Sequence, residues 1–412
     1  MSIFSFLSSL EAPHDLWTIL LDWLQGGFGN LGWALLVLTL LVKVATSPLD
    51  FWVKLSTKKQ TLVQQKCSPE VAKLQKKFGN DRQRLQMQTQ ALYKREGLKM
   101  GTGCLVMLVN MILTMAIFFS FYGTLRNVSA YNAINQYEQV VEAATDGFNQ
   151  SIIDFSDSDD IKTKADVEEW VENYTISKDY LDDPANLANA GTDEYKAHQE
   201  LVDGSQAIID AANDGFKKAA AEKWNSVKSK WLWVQNIWVA DATTSPFPTY
   251  DGLIDIADKA GKEYVEYIED NIEKKDYNKI AGIVHAKDVK HNGYYILAIM
   301  AGLITFLSQY ISELHNKLKN KKANALAKAS NAQNTMSLKM MKIIMPIIMI
   351  MFVLSSSASF GIYILASNIA SIAIGEIIKL FVNMATKKKQ QEVEEVLEKE
   401  ANRLIKKGKL QG

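Results

Sequence analysis

The residue whose type and position most directly imply chemistry is a lysine inside an apolar run. Residues 31–42 are almost entirely apolar, and Lys43 follows them, five positions before Pro48. A cation near the centre of a bilayer helix costs about 2.5–3.5 kcal/mol on insertion scales. Pro48 lies about 7–8 Å further along the helix axis, so the lysine stem can extend to the cytosolic interface. The alternative is that Lys43 faces a water-filled cavity, where it would attract anions.

Side-chain amides also interrupt apolar runs. Asn110 lies in the run 104–119, Gln309 in 293–312 and Asn368 in 360–381. An amide inside a membrane helix usually hydrogen-bonds a neighbouring helix. The pattern leaves open whether Asn110 does only this or also lines a polar groove.

Several kinds of chemistry lack their motifs in this sequence. We find no nucleotide-binding P-loop, no HExxH zinc motif and no rhomboid-type Gly-x-Ser with a helical histidine. Cys67 and Cys104 form no CxxC motif, and the five histidines do not cluster. Asp157, Asp159 and Asp160 lack the glycine and glutamate spacing of a calcium loop. We therefore predict that the protein is not an enzyme and uses no cofactor and no metal.

Apolar runs long enough to span a bilayer alternate with polar blocks along the chain. This alternation predicts an all-α, polytopic membrane protein with a five-helix core. The predicted transmembrane helices are residues 29–48, 101–123, 293–312, 341–358 and 359–383.

The polar blocks differ in charge. Lys and Arg outnumber Asp and Glu by 12 to 4 in 49–100, by 6 to 1 in 313–340 and by 8 to 5 in 384–412, whereas 124–292 holds 17 against 32. The positive-inside rule places the three basic blocks in the cytosol. The N-terminus and the acidic block then lie outside a plasma (inner) membrane. Juxtamembrane lysines favour anionic lipids as partners, and DNA is not expected.

The polar blocks are predicted to be helical. Residues 1–28 contain an amphipathic interfacial helix near 14–25, with a loosely ordered arm as the alternative. The block 49–100 is a helical hairpin that turns at 79–81, with Ser68–Pro69 as the competing break. A thin seam would join its arms, formed by Leu62, Val71, Leu74, Phe78, Leu85, Met87 and Leu92.

The block 124–292 is predicted to be an acidic extracellular helical domain. It contains no cysteine, so packing alone must stabilise it. Breaks are expected around Pro184 and around Gly191. The tryptophans 231, 233 and 238 would lie at the outer membrane interface, where indoles settle. The basic loop 313–340 and the charged tail 384–412 complete the cytosolic side.

Five segments carry recognisable motifs: Leu-Thr-Leu-Leu-Val-Lys-x4-Pro-Leu at 38–49, the charged hairpin at 64–97, Gly103-Cys104, Met-Met-Lys-x2-Met-Pro at 340–346, and Ile-Tyr-Ile-x2-Ser-Asn-x2-Ser at 362–371. Together they resemble the YidC/Oxa/Alb membrane-insertase family. The resemblance covers 14–122 and roughly 228–384, and omits most of the region between.

The resemblance implies an insertase and chaperone for nascent membrane proteins. A hydrophilic groove open to the cytosol would be lined by Lys43, Asn110, Gln309 and Asn368. The apolar part of a client would slide along a lipid-facing surface at Ile304, Ile362 and Leu365. The hairpin and basic tail would contact the ribosome, and a secretion channel is a further expected partner.

This chain departs from the family pattern at the groove. Lys43 stands where the family has arginine, and Asn110 stands near the family's glutamine, with Val106 and Ile112 at its proline positions. Arginine forks bidentately and keeps its charge, whereas a buried lysine can lose its proton. The groove can therefore work as in the family only if the positive charge of Lys43, without the guanidinium geometry, is enough to attract a client.

Two other functions fit the sequence. A small-molecule or ion transporter would use Lys43 as an anion site and would carry inverted repeats, but we find no internal repeat. A membrane anchor would carry the acidic extracellular domain as its working part.

Overall fold

A computed structural model describes residues 10–97, 100–156, 161–319 and 335–406. Predicted features that fall elsewhere lie outside the described residues: positions 1–9 of the N-terminal segment, Asp157, Asp159 and Asp160, most of the 313–340 loop, and the end of the tail. The side chain of Cys104 also lies outside them.

The described chain is all-α, which confirms the predicted fold class. A short 3-10 helix, Pro184–Asn189, accompanies twelve α-helices in the described ranges. The α-helices are α1 (Leu16–Phe28), α2 (Leu31–Phe78), α3 (Arg82–Arg95), α4 (Met100–Phe155), α5 (Lys164–Asp182), α6 (Asp193–Val227), α7 (Tyr250–Ala260), α8 (Lys262–Asn271), α9 (Lys274–Lys287), α10 (Ile296–Lys319), α11 (Thr335–Leu354) and α12 (Ala358–Lys406).

Three described helices are long and apolar enough to cross a membrane: α2, α4 from Leu105 onward, and α12. Two shorter apolar stretches lie in α10, at Ile296–Ile311, and in α11, at Ile343–Leu354. These five stretches overlap the five predicted transmembrane segments. Five membrane crossings remain a prediction.

α2 continues through both of its prolines. A proline within a helix cannot donate to the carbonyl four residues earlier. In α2 the preceding serine takes over that role at both sites: Ser47 Oγ donates to the Val44 carbonyl at 2.8 Å, and Ser68 Oγ donates to the Gln65 carbonyl at 2.8 Å. Each carbonyl that loses its amide donor thus keeps a partner. The first helix therefore does not end at Pro48, and Ser68–Pro69 is not a break.

The hairpin turns at 79–81, the position predicted from the sequence. α2 ends at Phe78, and the Asp81 carboxylate caps α3 by accepting from the Arg84 amide at 3.0 Å. At the other end of α3, Lys66 pairs with Glu96 at 2.7 Å. This hydrogen bond lowers the pKa of Glu96 and outweighs the opposing effect of burial.

The predicted seam of the hairpin is only partly formed. Leu92 is buried, but Met87 is 67% exposed. Leu62 is buried against the tail helix rather than within the hairpin, packing with Val393 and Leu397.

The chain forms two compact units. The acidic unit comprises 1–13 and 126–294, and the bundle unit comprises 14–125 and 295–412. The acidic unit nearly coincides with the predicted segment 124–292. Its main core joins Ile134 and Tyr137 of α4 to Trp224, Phe247 and Tyr277. A second cluster, formed by Ile152, Ile161, Val167 and Ala212, lies beside α5 and α6.

The tryptophan-rich segment packs into the acidic unit. Trp231 and Trp238 are 4% and 3% exposed, and Trp238 Nε1 donates to Ser229 Oγ at 3.0 Å. The expectation that these two indoles lie on an exposed interface is therefore wrong. The chain around them is held by a buried amide network, in which Asn236 Nδ2 donates to Gln136 Oε1 at 2.9 Å.

The bundle unit is built on α2 and α12, which pack along each other, with α10 against α11 and α12, and α1 against α2. α1 is also tied to α4. Trp17 Nε1 donates to Ser120 Oγ at 2.9 Å, and Thr124 Oγ1 donates to the Asp15 carboxylate at 2.6 Å. An aromatic cluster joins α4, α11 and α12 through Phe118, Tyr122, Phe352, Phe360 and Tyr363.

Candidate functional site

Lys43 lies on α2 and is half-buried. Within the described part of the chain, its ammonium has no carboxylate within 4 Å, and Asp50, two turns further on, is the acid that interacts with it electrostatically. The Lys43 carbonyl accepts from the Thr46 hydroxyl at 3.2 Å. A cation held in this way among apolar neighbours can accept an anion from outside the chain.

Asn368 makes the interhelical bond expected of a membrane amide. Its Nδ2 donates to Thr305 Oγ1 at 3.2 Å, which links α12 to α10. The Thr305 hydroxyl in turn donates to the Ala301 carbonyl at 2.7 Å. Gln309 follows Thr305 by one turn on α10 and is half-buried. α10 and α12 thus share a polar contact next to Gln309.

The other predicted groove residues are not joined to this contact. Asn110 is half-buried on α4, in a stretch whose side chains are otherwise mostly exposed. Across the described ranges, no side-chain hydrogen bond or ion pair connects Lys43, Asn110 and Gln309 with one another. The structure therefore brings together Asn368 and Thr305, and a groove common to all four residues remains a prediction.

The predicted slide residues are less exposed than expected. Ile362 and Leu365 are 0% and 6% exposed, and Ile304 is half-buried. Two of the three side chains are thus covered within the bundle unit rather than open to lipid, because α12 packs against both α2 and α10. The exposed apolar side chains of α10 and α12 include Leu303, Phe306, Leu307 and Ile369.

A contact that sequence reasoning missed joins the tail to the hairpin. Leu62 of α2 packs with Val393 and Leu397 of α12, and Lys73 lies 3.8 Å from Glu400. The pattern of apolar residues in the tail indicates such a contact. Apolar residues recur at helical spacing at 393, 396, 397, 401 and 404, which predicts an amphipathic helix with a partner.

Comparison with known proteins identifies relatives of the chain. The model of the family described as 60Kd inner membrane protein matches residues 23–182 and 222–389, which is well over half of the chain. This match continues through 123–182, so the resemblance is broader than the sequence motifs indicated. No solved structure matches the chain.

Curated relatives carry the name membrane protein insertase YidC. Their identity is 38% over 131 residues in Wolinella succinogenes, 41% over 103 residues in Jannaschia sp. and 34% over 109 residues in Helicobacter pylori. These stretches cover 32%, 25% and 26% of this chain, but only 22%, 15% and 18% of the relatives. The match therefore spans less than a quarter of the length of each relative. On the extent of the family match, the chain belongs to the 60Kd inner membrane protein family.

Proposed function

We propose that this chain is a membrane protein insertase and chaperone. It would move the hydrophilic tails of nascent membrane proteins across the bilayer through a cytosol-open groove lined by Lys43, Asn110, Gln309 and Asn368, and release their apolar segments into lipid. The observation that carries the proposal is Lys43, a half-buried cation without a close carboxylate among the described residues, on a helix apolar enough to span a membrane. The family and the names of its relatives support the same reading.

The physical task of the groove is to reduce the cost of desolvating the client tail. A polar cavity that reaches part of the way across the bilayer shortens the apolar barrier, and the Lys43 ammonium attracts acidic residues of the tail. Transfer of about twenty apolar client residues into lipid then drives insertion without a nucleotide.

The apolar segment of a client would leave along α10 and α12. Ile304 belongs to this surface, together with the exposed side chains of Leu303, Phe306 and Ile369. Ile362 and Leu365 would support it from within the bundle.

The proposed topology is a multi-pass protein of the inner membrane, with its N-terminus outside and its C-terminus in the cytosol. The basic hairpin and tail would contact anionic lipid and the ribosome, and a secretion channel would deliver some clients. The charge difference between the blocks 49–100 and 124–292 supports this orientation.

The proposal is tested by reconstituting the purified protein in liposomes with a client that has one apolar span and an acidic N-terminal tail. Protease protection of the tail measures its transfer. We expect protection well above that in empty liposomes. Protection equal to that in empty liposomes, with a client that remains soluble and intact, would contradict the proposal.

A truncation distinguishes an insertase from an anchor for the acidic unit. α4 and α6 cross closely at Gly147 and Gly215. Replacing 148–214 by a short Gly-Ser linker removes the second apolar cluster but keeps the main core around Ile134 and Tyr137. An insertase should retain basal insertion after this change. If insertion is lost while the remaining acidic unit stays folded, the unit itself performs the function.

A further inference from the structure

Three charged residues follow one another on a single face of α2. Asp50 and Lys54 lie seven and eleven residues after Lys43. At about 100° per residue these positions fall within about 40° of one another, and they rise about 10 and 16 Å along the helix from Lys43. The face therefore presents a cation, an anion and a second cation in succession toward the hairpin.

Lys54 has an incomplete set of partners. Its side chain is half-buried, and Nζ donates to the Gly375 carbonyl of α12 at 3.3 Å. Asp50 and Glu376 influence Lys54 electrostatically, yet neither lies within 4 Å of it as an ion pair in the described chain. Glu376 is instead paired with Lys379 at 2.5 Å.

The missing side chain at position 375 shapes this contact. A Cβ there would lie 3.0 Å from Lys54 Nζ, so the glycine lets the ammonium approach the backbone of α12. An ammonium has three donors, and one neutral carbonyl does not balance its charge. A carboxylate is the stronger partner, since a charge-assisted hydrogen bond is roughly twice as strong as a neutral one.

We propose that Lys54 is a second binding station for acidic residues of a client tail, on the cytosolic side of Lys43. This inference rests on the proposed function and adds a second client-binding residue to it. A client carboxylate would first pair with Lys54 and then advance along the same face to Lys43. Asp50, between the two, repels a carboxylate that stops midway and so favours occupancy of the two cations.

The test compares two clients that share one apolar span and differ only in the tail, which carries four Asp or four Asn. Wild type, Lys54→Gln and Lys54→Arg are reconstituted in liposomes, and tail protection is measured. Loss of one half-buried charged hydrogen bond should lower transfer of the Asp tail by about fivefold. Transfer of the Asn tail should stay at the wild-type level, and Lys54→Arg should restore the Asp tail.

Lys59→Gln is the matched control. Lys59 is exposed on the same helix, about 140° around from Lys54, and its loss should leave both tails unaffected. The proposal is overturned if Lys54→Gln lowers both tails equally, which is the mark of a structural role, or lowers neither. If wild type transfers the tails and Lys54→Gln transfers both of them at the wild-type level, the proposed function stands and only the second binding station is excluded. If wild type transfers neither tail, both proposals fail.

Discussion

Gly147 and Gly215 allow α4 and α6 to touch backbone to backbone within the acidic unit. A Cβ at Gly215 would lie 2.7 Å from the Gly147 carbonyl oxygen and 2.0 Å from Ser151 Oγ, and a Cβ at Gly147 would lie 2.9 Å from the Gly215 carbonyl oxygen. Cβ atoms do not approach backbone this closely, so either addition must push the helices apart. The domain has no disulfide to compensate, because it has no cysteine.

Gly215→Ala should destabilise the acidic unit by about 1–3 kcal/mol, the usual cost of overpacking a close contact. The measurement is thermal unfolding of the full chain in detergent, followed by tryptophan fluorescence. Gly204→Ala on the same helix is the control, since a Cβ there meets nothing within 4 Å and alanine favours helix. Equal melting temperatures of the two variants would show that α4 and α6 are not in tight contact at Gly215.

A buried ion pair gives the same unit a dependence on acid. The side chains of Lys228 and Asp288 are 2% and 5% exposed and pair with each other, and Trp224 Nε1 also donates to Asp288. Burial alone would raise the pKa of Asp288, but hydrogen bonds from Lys228, Trp224 and the Val289 amide outweigh it, so the pKa lies below its ordinary value.

The depressed pKa fixes the sign of the pH effect. A carboxyl that titrates lower when folded contributes stability above its unfolded pKa of about 3.9, and this contribution is lost as the pH falls through the folded value. The acidic unit should therefore melt at a lower temperature below about pH 4. In Asp288→Asn this pH dependence should be reduced, and the buried Lys228 should cost about 3–5 kcal/mol at neutral pH. Unfolding scans between neutral and acidic pH measure both effects, and an unchanged pH dependence in the variant would exclude Asp288 as its source.

The candidate site residues that could be identified from the sequence are those whose type is unusual for their surroundings. Lys43 and Asn368 stand out because a charge or an amide in an apolar run has a cost, and Asn368 does bond a neighbouring helix. Asp15 could not be read in this way. Its carboxylate caps α1 by accepting from the Thr18 amide, and it also accepts from the Thr124 hydroxyl, 109 residues away. Contacts of that kind depend on tertiary structure, which local pattern does not contain.

Three helices of this chain are longer than the membrane segments predicted from the sequence. α2, α4 and α12 each run well past their predicted membrane segments, to Phe78, Phe155 and Lys406. Hydropathy locates where a helix is apolar and says little about where it ends. The hairpin turn was predictable, because Gly79 and Asp81 supply the local stop and cap. Passage through Pro48 and Pro69 depended on serine hydroxyls that replace the missing amide donors.

The tail helix should brace the hairpin. Leu397→Asp places a charge in the small cluster with Leu62 and Val393, and an unpaired charge there disfavours packing. We expect faster trypsin cleavage after Lys387–Lys389 in this variant, measured by the rate of tail loss on a gel. Glu395→Ala, at an exposed position of the same helix, should cleave like wild type. If both variants cleave at the wild-type rate, the tail is not held by this cluster.

The two units of the molecule differ in how they bury their apolar side chains. The acidic unit stabilises itself by apolar cores and buried polar pairs. The bundle unit leaves many apolar side chains exposed, including most of the apolar stretch of α4, which a bilayer would cover. All-α architecture and the separation into these units were predictable from hydropathy and charge blocks. The arrangement of the groove was not, because it depends on which helix faces meet.

The role of the Lys43 charge is tested by measuring insertion of the acidic-tail client by wild type, Lys43→Ala and Lys43→Arg in liposomes. We expect wild type and Lys43→Arg to transfer the tail, and Lys43→Ala to lose most of this transfer, since the positive charge is the proposed attraction. Equal transfer by all three would contradict a role of this charge in insertion. Lys43 would then only extend to the cytosolic interface, and the hairpin and the apolar helix surfaces would carry insertion.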